Sequence, residues 1–436
     1  MQQAAHRRAR VAVGATYAAQ GFGYATIVTA LPGLKARTGI EDDTIALVLL
    51  LGALLAAGGS VTAERLARRW GSRTVVVLGL LAQAVGLACV AVSTSVPTLV
   101  ASFVVFAVGL GMVDASCNMQ GVALQHRVGR AILSTLFACL TVAAIVAALT
   151  QSGLANLGTV TGAVTALVVA VVVATGVALT VRPSLVHGGA AGEAASQATP
   201  ADAPAAVHDA GTHDAGTHDH PVHTDGIVPG ARTGVVPPDH LDVPARRPLP
   251  RVGIWLFGAL VAVAFVVDSA VSSWSTVYLH DELRASASVA PLGYAAYQGA
   301  VLVARLAGDP LVQRHGRVRV ALPAAVLALV GLLVVALVPS PITAVAGFAL
   351  AGVGAGALVP LAFSAAGELA PERLDDVVAR INLFNYAGAI LGAVALGLLS
   401  EAIGLGPAFL VPALLLVPAI AIVPRMGAPR ALRADV

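Results

Sequence analysis

The chain has 436 residues, of which 57% are hydrophobic and 11% charged, and its formal net charge is +3. Soluble domains carry about 25% charged residues, so this composition excludes a water-soluble fold and predicts an all-α membrane protein. The small net charge says nothing about nucleic acid, and with no basic tract interleaved with aromatics no nucleic-acid partner is expected.

The first apolar run follows "MQQAAHRRAR" and continues past Leu31 without a small-residue cleavage site, so it reads as a spanning helix rather than a signal peptide. Further runs of about 20 residues give six spans, at 11–33, 44–63, 74–93, 97–121, 131–153 and 158–181. After a polar gap, six more follow at 252–279, 287–308, 318–338, 342–366, 377–400 and 404–424. Cys89, Cys117 and Cys139 fall inside apolar runs and read as small buried residues, not as a disulfide or metal set. The predicted domains are an N-terminal six-helix bundle (1–182), a linker (183–250) and a C-terminal six-helix bundle (251–436).

The linker is rich in Ala, Pro, Gly and His and contains "HDAGTHDAGTHDHPVHTD". It cannot bury enough apolar area to fold and reads as a disordered tether. Its His/Asp clusters leave weak metal binding as the other reading, but no metal or cofactor is expected of the folded part. One set of helix ends carries Arg7, Arg8, Arg10, Arg65, Arg68, Arg69, Arg73, Arg127, Arg130, Arg314, Arg317, Arg319, Arg373, Arg425, Arg430 and Arg433. The opposite loops carry Lys35, Arg37 and Arg284. The positive-inside rule then places both termini and the linker in the cytoplasm of a bacterial inner membrane.

The chain repeats itself. Aligning Gly71 with Gly316 sets an offset of about 245 residues, which brings Glu64 to Asp309, Arg69 to Arg314, and Gly109 and Gly111 to Gly354 and Gly356. Such a duplicated six-helix unit, related by an axis along the membrane normal, is a transporter architecture with its site between the halves near mid-membrane.

"RRWG" and "QRHGR" resemble the loop signature of the major facilitator superfamily, which has its Arg and second Gly here. The acid of that signature stands one helical turn earlier, at Glu64 and Asp309, with Arg68 and Gln313 in its usual place. "DASCNMQGVALQHRVGR" and "DSAVSSWSTVYLHDEL" are similar to a bacterial branch distantly related to fucose-permease-type sugar transporters. Its pattern falls on Asp114, Asn118, Gln120, Gly121, Asp268 and Trp274, while Phe137 and Ser273 stand where relatives often have His and Asp. The resemblance implies twelve helices in two pseudo-symmetric bundles and transport of a small solute.

Intramembrane acids are costly and mark function by default. Asp114 and Asn118 share a helix face, and their repeat mates are Val359 and Phe363, so the fold does not need an acid there. Asp114 reads either as a proton or cation site or as an inner-gate ion pair to Arg65, Arg68 or Arg69. Asp268, whose mate is Gly23, reads as a substrate or proton site facing the outer mouth with no cation nearby. Its other reading is an acid hydrogen-bonded to Ser272 or Tyr24. Gln20, Tyr24, Tyr294, Tyr297, Gln298, Asn382, Asn385 and Tyr386 suit a hydroxylated or neutral polar cargo, or else bond helix to helix. Glu64, Arg68, Arg69 and Gly71 in one half, with Arg305, Asp309, Arg314, Gly316 and Arg317 in the other, form the expected inner gate.

No nucleophile–base pair, HExxH or Walker motif is present, so neither an enzyme nor an ATP-driven pump is expected. The expectation is a secondary active transporter, monomeric and proton-coupled, whose partners are a sugar-like or drug-like solute, protons and the lipid bilayer. The rival is a transporter-shaped receptor or scaffold that signals through the linker.

Overall fold

A computed structural model of the chain describes residues 2–128, 132–186, 250–370 and 374–427. Eleven long helices cover the first eleven spans: α1 (Gln2–Thr38), α2 (Asp42–Trp70), α3 (Ser72–Val92), α4 (Val96–Val128), α5 (Leu133–Gly153), α6 (Thr159–Val181), α7 (Arg251–Val277), α8 (Ala290–His315), α9 (Arg317–Leu337), α10 (Pro341–Gly367) and α11 (Leu374–Ile403). The twelfth span is broken at Phe409 into α12 (Leu405–Ala408) and α13 (Leu410–Ile422). No strand occurs among the described residues. This is the all-α, twelve-helix membrane fold expected, because in lipid a spanning helix satisfies its own backbone groups.

Ten of these spans are long and apolar enough to cross a bilayer. The two that fall short, α1 and α8, carry polar side chains in mid-run: Gln20 and Tyr24 on one, Tyr294, Tyr297, Gln298 and Arg305 on the other. The helices run past the predicted spans at their ends. Charges there suit the helix dipoles, with Lys35 and Arg37 in the last turn of α1 and Asp42 and Asp43 in the first turn of α2. The two ends of the bundle are called below the arginine-rich end, after the loops α2–α3 and α8–α9, and the lysine end, after Lys35.

The duplication is visible atom by atom. A Cβ on Gly109 would lie 2.5 Å from the Gln83 nitrogen, and one on Gly354 would lie 2.4 Å from the Cβ of Ala328, the repeat mate of Gln83. A Cβ on Gly111 would lie 1.9 Å from the Ala56 carbonyl oxygen, and one on Gly356 would lie 2.8 Å from that of Val301, the mate of Ala56. Small residues thus let α4 press on α2 and α3, and α10 on α8 and α9. Gly71 and Gly316 turn the chain between helices at φ 79° and 82°, a backbone region reserved for glycine. Arg73 donates to the carbonyl of Arg182, and Arg317 to that of Met426, tying the start of α3 or α9 to the chain after the last span of its half.

Residues 182–186 are described at the start of the expected tether. Arg182–Ser184 form a 3-10 turn, and Leu185 and Val186 are buried. Gln120 clamps this segment, accepting from the Val186 amide at 2.8 Å and donating to its carbonyl and to Ser72. The rest of the linker, with its His/Asp repeat, lies outside the described residues. The two halves meet where α5 packs on α8 and α2 packs on α11, and they share one continuous apolar core.

Candidate functional site

Side chains on a helix lean toward its N-terminus. Helix α4 runs from the lysine end to the arginine-rich end, so Asp114 leans away from the arginines at the far tip. Gln20 Nε2 donates to Asp114 Oδ1 at 3.1 Å, and the Tyr17 hydroxyl donates to Asn118 Oδ1 at 2.7 Å. The ion pair expected from Asp114 to Arg65, Arg68 or Arg69 does not form among the described residues. Arg68 pairs with Glu64, one turn back on its own helix, and Arg65 and Arg69 are exposed. Asp114 is exposed too.

Tyr17 is a site residue that the sequence reading missed. It is fully buried, edge-on to Phe137 with ring centroids 5.4 Å apart. Its signal was its spacing, one turn before Gln20 on the same face of α1.

A second cluster joins α1, α7 and α8. The Tyr297 hydroxyl donates to Asp268 Oδ1 at 2.8 Å, and Gln298 Nε2 donates to the Tyr294 oxygen at 2.9 Å. Tyr24 of the first half is half-buried on α1, which packs against α7 and α8. Asp268 thus finds its donor on α8; no bond to Ser272 or Tyr24 is found among the described residues. α8, which supplies that donor, also carries Arg305. Arg305, one of the expected inner-gate residues, is exposed.

Gln83 was also missed. It is fully buried on α3, its amide against Gly23, and neither amide atom has a protein partner. On α11, Asn385 is half-buried and Tyr386 is 63% exposed, while the side chain of Asn382 lies outside the described residues.

The bonds found at the arginine-rich end stay within one half. Besides Glu64–Arg68, Arg317 donates to Glu368 and to the Met426 carbonyl. Arg69 and Arg314 are exposed, and the side chain of Asp309 lies outside the described residues. Ties between the halves gather at the lysine end. The Lys35 ammonium lies 2.5 Å from Asp42 and 2.5 Å from Asp281, which His280 also meets at 2.7 Å. Ser152 Oγ donates to the Ser288 carbonyl at 2.5 Å.

Beyond Val277, α7 widens into a π-helical turn, Tyr278–Glu282. This turn aims Asp281 at Lys35 and Glu282 at the amides of Leu405 and Gly406, the N-terminus of α12. An anion there meets the positive end of the helix dipole. Glu41, Asp43 and Glu401 also converge at this end, within metal-ligating distance of one another, with Asp43 half-buried and the two glutamates exposed. Asp114 and Arg305 are exposed while Tyr294 and Tyr297 are fully buried nearer the lysine end, so the cluster closes in that direction.

The chain matches the family model of the Major Facilitator Superfamily over residues 13–291 and 256–433. An uncharacterized MFS-type transporter of Yersinia pestis is 28% identical over 401 residues, covering 91% of this chain and 90% of that protein. Among solved structures, a variant of the nucleoside transporter NupG matches 95% of this chain and 99% of its own with TM-score 0.69 at 14% identity. A variant of the E. coli fucose:proton symporter FucP matches 95% and 98% with TM-score 0.54, also at 14% identity. The chain belongs to the major facilitator superfamily and is a multi-pass membrane transporter, not an enzyme.

Proposed function

We propose that the protein moves a small polar solute, sugar-like or drug-like, across the bacterial cytoplasmic membrane by alternating access, and that a proton moves in the same cycle. The observation that carries this reading is a polar cluster where the halves meet: Tyr297 donates to Asp268 and Gln298 to Tyr294 on α7 and α8 of the second half, which pack against α1 of the first, the helix of Tyr24. An intramembrane acid in such a place marks an ion or substrate path by default, and rocking of the halves exposes the cluster to each side in turn.

Asp268 is the coupling acid, and Asp114, bonded to Gln20, serves gating or coupling. The arginine-rich end faces the cytoplasm, with both termini and the tether 183–250 there. Glu64, Arg69, Asp309 and Arg314 latch that end in the alternate state, and the working unit is a monomer.

The test is reconstitution in proteoliposomes with candidate solutes. Asp268→Asn is expected to abolish gradient-driven accumulation and to keep solute exchange, which needs no net protonation. Accumulation at wild-type level in that variant passes the coupling role to Asp114. Absence of counterflow for every solute offered, in protein that binds one of them, supports the receptor reading instead.

A further inference from the structure

We propose that the furrow between α5 and α6, floored by α1, holds one phospholipid with an anionic headgroup, drawn from the leaflet at the arginine-rich end.

Helix α1 packs along both α5 and α6, while α5 and α6 hardly meet each other. Three helices placed in this way leave a furrow with α1 as its floor, and small side chains keep the floor low. A cavity of about 570 Å³ is lined there by Ala15 and Ala19 of α1, Ala138 and Val142 of α5, and Val173 and Val177 of α6. Val142 is 46% exposed, so the furrow opens toward the hydrocarbon.

A second cavity, of about 710 Å³, adjoins the first at Ala15 and lies toward the arginine-rich end. Arg7, Arg8, Thr180 and Ser184 line it, and among the described residues no acid lines either cavity. Both arginines are exposed. They stand just before the apolar span that starts at Val11, at the level of the headgroups. Two guanidiniums there complement a phosphodiester, since arginine meets phosphate oxygens with paired donors. Basic pockets between spanning helices are a general mode of anionic headgroup recognition.

The dimensions suit one acyl chain. On α1 the lining of the two cavities passes from Val11 to Phe22, about 16 Å at 1.5 Å per residue. On α5 it passes from Thr135 to Val146, the same length. The hydrocarbon core is about 30 Å thick, so the furrow is as deep as one leaflet. A chain hanging from a headgroup at Arg7 and Arg8 fills it, whereas a soluble phosphate ester leaves the apolar cavity empty.

The fold does not require the furrow. Cys139 lines it, and the repeat mate of Cys139 is Phe384. The Phe384 ring packs on Gly258, whose would-be Cβ lies 2.5 Å from it, and stands edge-on to Trp255 with centroids 5.1 Å apart. In the first half Gly14 meets only the Cys139 sulfur, 3.6 Å from its would-be Cβ. Where the second half fills this place with its own aromatic rings, the first leaves room for a lipid. The lipid backs α1, the helix whose Tyr17 and Gln20 bond to α4.

The experiment is native mass spectrometry of the full chain, purified in detergent and given an equal mixture of phosphatidylglycerol and phosphatidylcholine with the same acyl chains. The wild type is expected to retain phosphatidylglycerol first. A basic residue beside an anionic headgroup favours it about fivefold, so Arg7→Gln with Arg8→Gln is expected to lower the preference about 25-fold. Cys139→Phe, which writes the second half's residue into the furrow, is expected to remove the preferred lipid. Arg319→Gln with Arg425→Gln, two exposed arginines at the same end of the second half, is the control and is expected to keep the preference. No preference in the wild type, an unchanged one in the Arg7 and Arg8 pair, an equal fall in the control, or full retention in a folded Cys139→Phe overturns the proposal. If Cys139→Phe does not fold, the two arginine pairs decide alone. A dimer that forms as lipid is removed gives the furrow to a second copy of the chain and also overturns it. Bound lipid is read without transport, so this result stands apart from the transport reading.

Discussion

The Lys35 ammonium bridges the two halves, 2.5 Å from Asp281 on the second and 2.5 Å from Asp42 on its own. Lys35 is the only lysine in the chain, and its pair with Asp281 crosses between the halves at the lysine end. A charge-assisted hydrogen bond is worth about 1.5–3 kcal/mol, so Lys35→Gln is expected to depopulate the closed end by about tenfold. Disulfide formation between Ser152→Cys and Ser288→Cys, on either side of the boundary, reads this directly. Equal crosslinking with and without Lys35 removes it from the gate.

The pH dependence of the same tie has a definite sign. Burial opposes the Lys35 charge, but the bonds to Asp281 and Asp42 outweigh it, so the pKa is raised above the usual lysine value. A raised lysine pKa contributes closure that is fully present below the ordinary value of about 10.4 and is lost as pH climbs through the raised one. Crosslinking, corrected for the rise in thiolate reactivity of the two cysteines, is therefore expected to be flat from about pH 7 to 9, below that range. A decline across this window assigns control to another group.

The paired glycines give a test of the duplication. Gly111→Ala drives a methyl group into the Ala56 carbonyl, and Gly356→Ala drives one into that of Val301. Overpacking of this kind costs about 1–3 kcal/mol or more. Gly58, with nothing within 4 Å of its would-be Cβ, is the control, and Gly58→Ala is expected to be neutral or to stabilise by up to about 1 kcal/mol. Melting of the three variants in detergent checks the order. Gly111→Ala melting with Gly58→Ala contradicts the close α2–α4 approach.

Gln83 gives the opposite sign. A buried amide without a partner costs about 1–3 kcal/mol, and the second half has Ala328 in its place. Gln83→Leu is expected to raise the melting temperature. A lower one shows that the amide is engaged in the working protein.

Deleting 195–240 is expected to leave folded yield and transport near wild type, because the composition cannot form a packed core. Loss of folded protein on size-exclusion chromatography shows that the segment packs.

Much of the fold was legible because apolar runs of bilayer length and the 245-residue echo of Gly71 in Gly316 are patterns along the chain. The partners of the polar residues were not. Tyr17 and Asn118 are 101 residues apart, and Gln20 and Asp114 are 94 apart, so each bond depends on which face of α1 turns to α4. Lys35 was read as an exception to charge orientation. The neighbouring acids Asp42 and Asp281 were the signal, but only the fold brings Asp281 to α1.

The π-helical turn after α7 places two acids side by side with different tasks. Asp281 faces the other half, and Glu282 is pinned to the first amides of α12. A hinge beside the gate would let Asp281 swing free while the rest of the half stayed still. Pinned through Glu282, the backbone that carries Asp281 is joined to the start of the twelfth span, so any movement of that span is felt directly at the Lys35 ion pair.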